Sequence, residues 1–506
     1  MRAFYALLLL LCAAGCTEPS GQPRPIPIEE LTIADIHDAY RAGHYTSEAL
    51  VAAYLNRMDS LNPRINAVSF RNAMALEDAR ALDSEFAETG VLRPLHGIPI
   101  LIKDNINTAG MPTTAGARAL QDYVPTSDAF VVQRLRDAGA ILIAKTNMAE
   151  WAFSARHTKS STIGTTRNPY NLNRVPAGSS GGTAAAVAAN LATAGLGTDT
   201  GNSIRGPSSH TALVGFRTTL GMASRDGIVP LYLRNDVVGP MCRTVEDATR
   251  LMQAMAGPDP ADTLTAYGAG RVETDYLRYL DTAGLQGARI GVLRVLSDDA
   301  PYSGIKRLFE QSLSDMTRLG ATVVDSVAVP DFNELRRGQW CNTFRADVEE
   351  FLRVYAPDEG VHTLDDIIRK GTLSDFAHDR LHDARRVATD TDRPCGDAYT
   401  DPRRVAFREV IERTMDSLQL DALVFPTWNH PPALINNPHG GYRGDNSQII
   451  SPHTGQPGFT VPMGFTDLGL PAGVQFLGRM YAEPTLVKLC YAYEQGTRHR
   501  RPPVVR

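Results

Sequence analysis

Short apolar runs that end on a single charge set the pattern of this chain. From Gly97, five apolar residues (Ile98, Pro99, Ile100, Leu101 and Ile102) lead to Lys103, which predicts a buried strand delivering a lysine at its end. The run ILIAKTN at 141–147 ends in the same way on Lys145, and further strands are expected at 290–293, 322–324 and 422–425. Folded structure is expected from about Leu31, with Thr32 and Thr46 as N-caps of two helices. On the second of these, Leu50, Val51, Tyr54, Leu55 and Met58 share one face, as a packing element requires. Between roughly 258 and 420 the pattern turns charged and helical, with arginine and aspartate clusters and no catalytic motif.

The least polar stretch is 177–205, AGSSGGTAAAVAANLATAGLGTDTGNSIR. It reads as two glycine-braced serine turns joined by a helix with too few polar side chains to face solvent. Both serines are therefore expected to be held from the inside. Glycine beside a reactive hydroxyl lets the backbone approach a substrate closely, so the stretch is read as an active site.

Composition changes the meaning of the two strand-end lysines. Only six of the 51 basic residues are lysine, so surface charge is carried by arginine. A lysine, unlike an arginine, can lose its proton when desolvated and act as a base. Spacing does not choose between Lys103 and Lys145. A rival assignment comes from Gly178-Ser179-Ser180-Gly181-Gly182, which satisfies G-x-S-x-G and would make Ser180 a hydrolase-elbow nucleophile. An elbow needs a strand before it, and NPYNLNRVP at 168–176 is too rich in Asn and Pro to supply one.

These segments resemble the amidase signature family of serine amidohydrolases, and within it the bacterial peptide amidases. The resemblance runs through HGIPILIKDNINTAGMPTTAG from His96, AGSSGGTAAAVAA from Ala177, GTDTGNSIRGPSSHTALVGFRTTLG from Gly197 and SRDGIVP from Ser224. It continues in VVGPMCRTVEDA and in the C-terminal PGFTVPMGF and LPAGVQFLGR. It implies one α/β/α sandwich around a central mixed β-sheet, where length alone would permit two or three domains. It also implies that Lys103 is the base, Ser179 a bridging serine behind a cis peptide from Gly178, and Ser203 the nucleophile of an amide-hydrolysing relay. The oxyanion would meet the backbone N–H groups of Thr200, Gly201, Asn202 and Ser203. Neither a metal nor a cofactor is needed for that chemistry.

The chain departs from the family pattern at Asn202 and Ala177, which stand where glycine is usual, and at Thr183, where serine is common. No catalytic hydroxyl is lost. Asparagine tolerates left-handed backbone, although its side chain would narrow the acyl pocket. Asp199 and Arg205 flank the nucleophile loop and are expected to brace it or to form a plain structural ion pair. Trp340, Trp428 and Tyr442 are candidates for a substrate funnel. Asp445, twelve residues before Pro457, matches a substrate-amine contact of glutamine-using relatives.

At the N-terminus Arg2 precedes an apolar run over 3–11, followed by Ala13, Ala14, Gly15 and Cys16. The run is too short for a membrane span and reads as a secretory signal. AAGC is similar to a bacterial lipoprotein box, which would make Cys16 a lipidated N-terminus and, with Thr17 rather than aspartate after it, place the protein at the outer membrane. Ordinary cleavage to a soluble periplasmic enzyme is the alternative. The expected organisation is a leader at 1–16, a tether at 17–28 and an amidase domain at 29–506. Within that domain the catalytic core is expected at about 75–258, a variable substrate-covering region at 259–420, and a return to the core at 421–495.

The remaining cysteines, Cys242, Cys341, Cys395 and Cys490, fit no zinc spacing, and an exported address makes Cys341 with Cys395 the pair to test for a disulfide. A net charge of −5 and the absence of a basic aromatic stripe give no case for nucleic acid. The expected partners are a small-molecule or peptide amide substrate and, through Cys16, a membrane, with no obligate protein partner. Three functions are weighed: an amidase for peptide C-terminal amides or for fatty-acid amides, aryl amides or carbamates; a solute-binding lipoprotein; and the glutaminase subunit of an amidotransferase.

Overall fold

The computed structural model describes residues 26–387 and 395–505. The expectations for Cys16, the leader and most of the tether fall outside these residues. The first seven strands along the chain are β1 (Val68–Arg71), β2 (Pro99–Lys103), β3 (Ile141–Thr146), β4 (Lys159–Ser160), β5 (Gly164–Thr165), β6 (Ala194–Asp199) and β7 (Val214–Arg217). The rest are β8 (Val237–Cys242), β9 (Arg289–Val292), β10 (Thr322–Val324), β11 (Ala422–Pro426), β12 (Gly458–Phe465) and β13 (Pro471–Leu477). Eleven of them form one sheet in the order β1-β3-β2-β6-β8-β7-β12-β13-β11-β9-β10, while β4 and β5 pair separately. The sheet is mixed. β2 runs parallel to both β3 and β6, whereas β6 with β8 and β12 with β13 are antiparallel.

All five expected strands are present, shifted by a residue or two at their ends. The expectation that one helix joins the two serine turns is wrong. The helix Gly181–Ala188 ends after about two turns, and 194–199, AGLGTD, is strand β6, inside the sheet between β2 and β8. Every residue of β6 is buried, so it lacks the alternation that marks a half-exposed strand, and its glycines hide its type. Gly195 is required there, because a side chain would run into Thr183 and Val187 of the helix that packs on β2 and β6.

The N-terminal helices follow their caps. Thr32 forms a capping box with Asp35 ahead of helix Ile33–Arg41, and the Thr46 side chain accepts from Ala49 N ahead of helix Ser47–Ile65. On the latter, Leu50, Val51, Tyr54 and Met58 are buried and Leu55 is partly so. A second apolar cluster, with Trp151 and Met148 on one side and Phe344, Val348, Leu352 and Leu381 on the other, fastens the helices of 344–386 over the 115–152 segment. That packing places the helix Asp375–Arg386 above the carboxyl ends of the central strands. Cys341 and Cys395 form a disulfide across 54 residues, with their Cα atoms 6.1 Å apart.

Candidate active site

Because β2 and β6 are adjacent and parallel, with Ile102 opposite Leu196, their carboxyl ends emerge at the same edge of the sheet. This is where open α/β sheets bind ligands. β2 ends on Lys103, β6 ends on Asp199, and residues 200–203 follow as the loop that carries Ser203. The first serine turn reaches the same place from the other side, at the start of helix Gly181–Ala188.

Lys103 Nζ lies 2.7 Å from Ser179 Oγ and 2.7 Å from Thr198 Oγ1, with no exposure to solvent. Burial pushes its pKa down to about 7 against the opposing pull of Asp236 and Asp199. A large fraction is therefore neutral at physiological pH, and a neutral amine at that distance can accept a hydroxyl proton. Lys145 goes elsewhere. Its ammonium donates to Ile106 O at 2.6 Å and Thr113 Oγ1 at 2.8 Å. Geometry thus separates two lysines that spacing could not.

The Gly178–Ser179 peptide bond is cis. Gly178 cannot be replaced there, because a Cβ would strike the carbonyl oxygens of Ser154 and His157. Ala177 adopts φ of 65°, so the usual glycine is replaced at a position that is left-handed, at a cost of roughly 1 kcal/mol. Thr183 fits its place, since its hydroxyl lies 2.6 Å from Thr146 Oγ1 and donates to Leu196 O at 3.2 Å. Ser180 is committed to structure: its hydroxyl donates to Thr198 O at 3.1 Å and accepts from Thr198 N at 3.3 Å. That disposes of the elbow assignment.

Ser203 lines the mouth of the site, with its Oγ 3.5 Å from Asn202 Oδ1. Among the described residues the backbone N–H groups of Thr200, Gly201, Asn202 and Ser203 are not used by internal hydrogen bonds. Asn202 has no positive φ, so its replacement of glycine needs no left-handed tolerance. Its Nδ2 donates to Ala155 O at 3.3 Å, an oxygen that also accepts from Gly178 N at 3.0 Å. The segment before Arg156 is therefore tied to both serine turns.

Asp199 and Arg205 do form a fully buried ion pair, Nε to Oδ2 at 3.1 Å, and Arg205 Nη2 reaches on to Gly201 O at 2.7 Å. Sequence reasoning missed the third member. Arg217 at the end of β7 donates to Asp199 Oδ1 at 2.9 Å and to Asn235 O at 2.7 Å. Burial alone would raise the Asp199 pKa, but the two guanidiniums hold it at about 2. The signal was present in VGFR, an apolar run closed by a charge as in PILIK. Thr198 was also missed, as was Asp236, whose carboxylate accepts from Thr200 Oγ1 at 2.5 Å and which burial pushes up to about 6.

Above Ser203 opens a cavity of about 490 Å³. Trp340 and Tyr442 line it, as expected of a funnel, whereas Trp428 is buried and donates to Arg443 O at 2.6 Å. Asp445 stands behind the wall, accepting from Gln448 Nε2 at 2.7 Å and Tyr442 Oη at 3.1 Å. Arg156, Phe376 and Arg380 also line it and were not foreseen.

The sequence model of the amidase family matches residues 49–487. The X-ray structure of the native peptide amidase from Stenotrophomonas maltophilia superposes with a TM-score of 0.83 at 38% identity, covering 95% of this chain and 99% of that one. A probable amidase of Arabidopsis thaliana is 33% identical over 98% of this chain and 95% of its own length. A component of the glutamyl-tRNA(Gln) amidotransferase of Symbiobacterium thermophilum is 35% identical over 93% of this chain and 97% of its own. With the lysine and both serines gathered at one edge of the same sheet, the chain belongs to the amidase family and is a hydrolase of amide C–N bonds.

Proposed function

We propose that this protein hydrolyses the C-terminal amides of peptides, or small carboxamides of similar shape, through Lys103, Ser179 and Ser203. The observation that carries the proposal is the 2.7 Å contact between Ser179 and a fully buried lysine whose pKa that burial lowers. Neutral Lys103 takes the proton of Ser179 as Ser179 takes that of Ser203, and the Ser203 alkoxide adds to the amide carbonyl. For this the Ser203 hydroxyl turns from Asn202 Oδ1 toward Ser179 as substrate binds, since catalytic hydrogen bonds are often loose before that point. The unused N–H groups of residues 200–203 receive the oxyanion. The relay returns the proton to the leaving nitrogen, ammonia departs, and water hydrolyses the acyl-enzyme by the same route.

The likeness to a peptide amidase supports this substrate over the glutaminase role, as do the aromatic walls of the cavity. An exported, Cys16-anchored enzyme is part of the reading. The Cys341–Cys395 disulfide supports it independently of the leader, because such bonds are rare in the cytosol. The test is ammonia release by the purified protein from peptide amides, fatty amides, aryl amides and glutamine, with Ser203→Ala as control. Serine-dependent release from peptide amides without a partner chain is expected. Release from glutamine alone would favour the amidotransferase role, and serine-independent release would remove the proposed relay.

A further inference from the structure

The charge of the cavity wall is opposite to that of the protein. The chain carries a net charge of −5, yet the side chains lining the cavity include Arg156 and Arg380 and no carboxylate. Arg156 is half-buried and Arg380 is exposed at the rim, whereas buried arginines are held by carboxylates, as Arg205 is by Asp199 and Arg225 by Asp262, or by backbone and amide oxygens, as Arg404 is. Arg156 and Arg380 have no such partner among the described residues. The guanidinium of Arg156 lies 4.9 Å over the Tyr442 ring and is in contact with His439 Nδ1, so the groups that hold it leave its charge uncompensated. Asp445, the carboxylate behind this wall, is occupied by Tyr442, Ser447 and Gln448.

Both arginines are mounted on fixed supports. Arg156 follows Ala155, whose carbonyl is bound by Gly178 N and Asn202 Nδ2, so its backbone is tied to the loops that carry Ser179 and Ser203. Arg380 lies one turn beyond Phe376 on helix Asp375–Arg386, on the same face, and both side chains line the cavity. Phe376 packs edge-on against His157, with ring centroids 4.8 Å apart, which docks that helix face on the segment bearing Arg156.

We propose that Arg156 and Arg380 select amides that carry a carboxylate on the acyl side. This rests on the reading of the protein as a carboxamide hydrolase. When the leaving group is ammonia, everything else in the cavity is acyl portion, so an anion recognised there must belong to that portion. The planar guanidinium fork matches a carboxylate in two parallel hydrogen bonds. A concave surface of one sign also raises the local concentration of oppositely charged substrate. An acidic peptide ending in an amide meets both conditions.

The experiment uses the full-length chain and N-acetyl tripeptide amides ending in Phe-NH2, with Glu, Ala or Lys placed in turn at each upstream position. At one position or more, the Glu peptide should exceed its Ala counterpart by about tenfold in kcat/KM, as a charge-assisted pair implies. The Lys peptide should fall below Ala, and the ratio should shrink as salt is added. The Glu-to-Ala ratio should collapse in Arg156→Gln and Arg380→Gln and be only partly kept in Arg156→Lys and Arg380→Lys, which retain the charge but not the fork. Equal rates for Glu, Ala and Lys at every position, or a Glu preference that survives in the double Gln variant, would overturn the proposal. The Ala peptide reads the peptide-amide assignment separately. If no peptide is hydrolysed, that assignment fails, and the same peptides are titrated against Ser203→Ala protein, where binding indifferent to charge overturns the arginine claim.

Discussion

Replacing Lys103 with methionine separates its chemical role from its structural one. In water a lysine of pKa about 10.4 is neutral to only a few parts in ten thousand at pH 7. Burial brings Lys103 to about 7, which raises the neutral fraction about a thousandfold. Wild-type kcat/KM should therefore climb with pH through about 7, reaching roughly a tenth of its plateau at pH 6 and nine tenths at pH 8. Lys103→Met should be inactive across that range. Its stability should move the opposite way. The folded pKa lies below the unfolded one, so the unfolded chain binds the extra proton between about pH 7 and 10.4, and wild-type stability rises with pH in that window. Below pH 7 the buried charge costs the fold about 5 kcal/mol at roughly 1.36 kcal/mol per unit. Loss of partners for Ser179 and Thr198 offsets about 1–3 kcal/mol of what methionine would recover. Urea unfolding at several pH values should show the variant's advantage over wild type shrinking by about 1.4 kcal/mol per pH unit above 7. A folded, active Lys103→Met would refute the reasoning, as would a stability gap indifferent to pH. So would loss of activity only in Lys145→Met.

Asp199→Asn should destabilise by about 3–5 kcal/mol, because it leaves Arg205 and Arg217 buried with an uncompensated charge. In wild type the stability due to Asp199 is present above its unfolded pKa of about 3.9 and is lost as pH falls through its folded value of about 2. Acid unfolding of the two proteins reads both effects. Asn202→Gly keeps the backbone N–H but frees space and removes the Asn202 bond to the Ala155 carbonyl, so kcat/KM should rise for bulky acyl groups relative to small ones. A uniform loss across a size series would contradict this. Reducing the Cys341–Cys395 bond, or replacing both cysteines with serine, should cost about 2–4 kcal/mol for a loop of 54 residues. Thermal unfolding with and without reductant measures it, and an unchanged Tm would mean that the bond constrains nothing.

What could be read from the sequence divides along physical lines. PILIK and ILIAKT were legible because a continuous apolar run bounded by a charge has few other solutions. Strand β6 was not, since AGLGTD owes its conformation to its neighbours β2 and β8, and its glycines serve the helix above it rather than strand propensity. The roles of Lys103 and Lys145 followed the same division. Both side chains are buried at strand ends, and they differ in what stands opposite each ammonium: Ser179 and Thr198 for one, Ile106 and Thr113 for the other. Opposition of that kind is a property of tertiary contact, which no local pattern encodes.

The cavity wall was the least legible part for the same physical cause. Arg156, Phe376, Arg380, His439 and Tyr442 come from segments up to 286 residues apart, taking Tyr442 minus Arg156, and none forms a motif with another. The lysine ends β2 and the serines lie in turns that flank helix Gly181–Ala188 and β6, so the central sheet and that helix set their places. Phe376 and Arg380 are placed instead by the helices that the second apolar cluster fastens, and Trp340 by the disulfide at the adjacent Cys341. These contacts can drift in sequence without disturbing the relay beneath them. It follows that substrate choice in this chain should respond to substitutions at Arg156 and Arg380 that leave the Lys103 titration in place, whereas changes around Asp199 should alter both. A pH-rate profile measured for each variant would expose any failure of that separation.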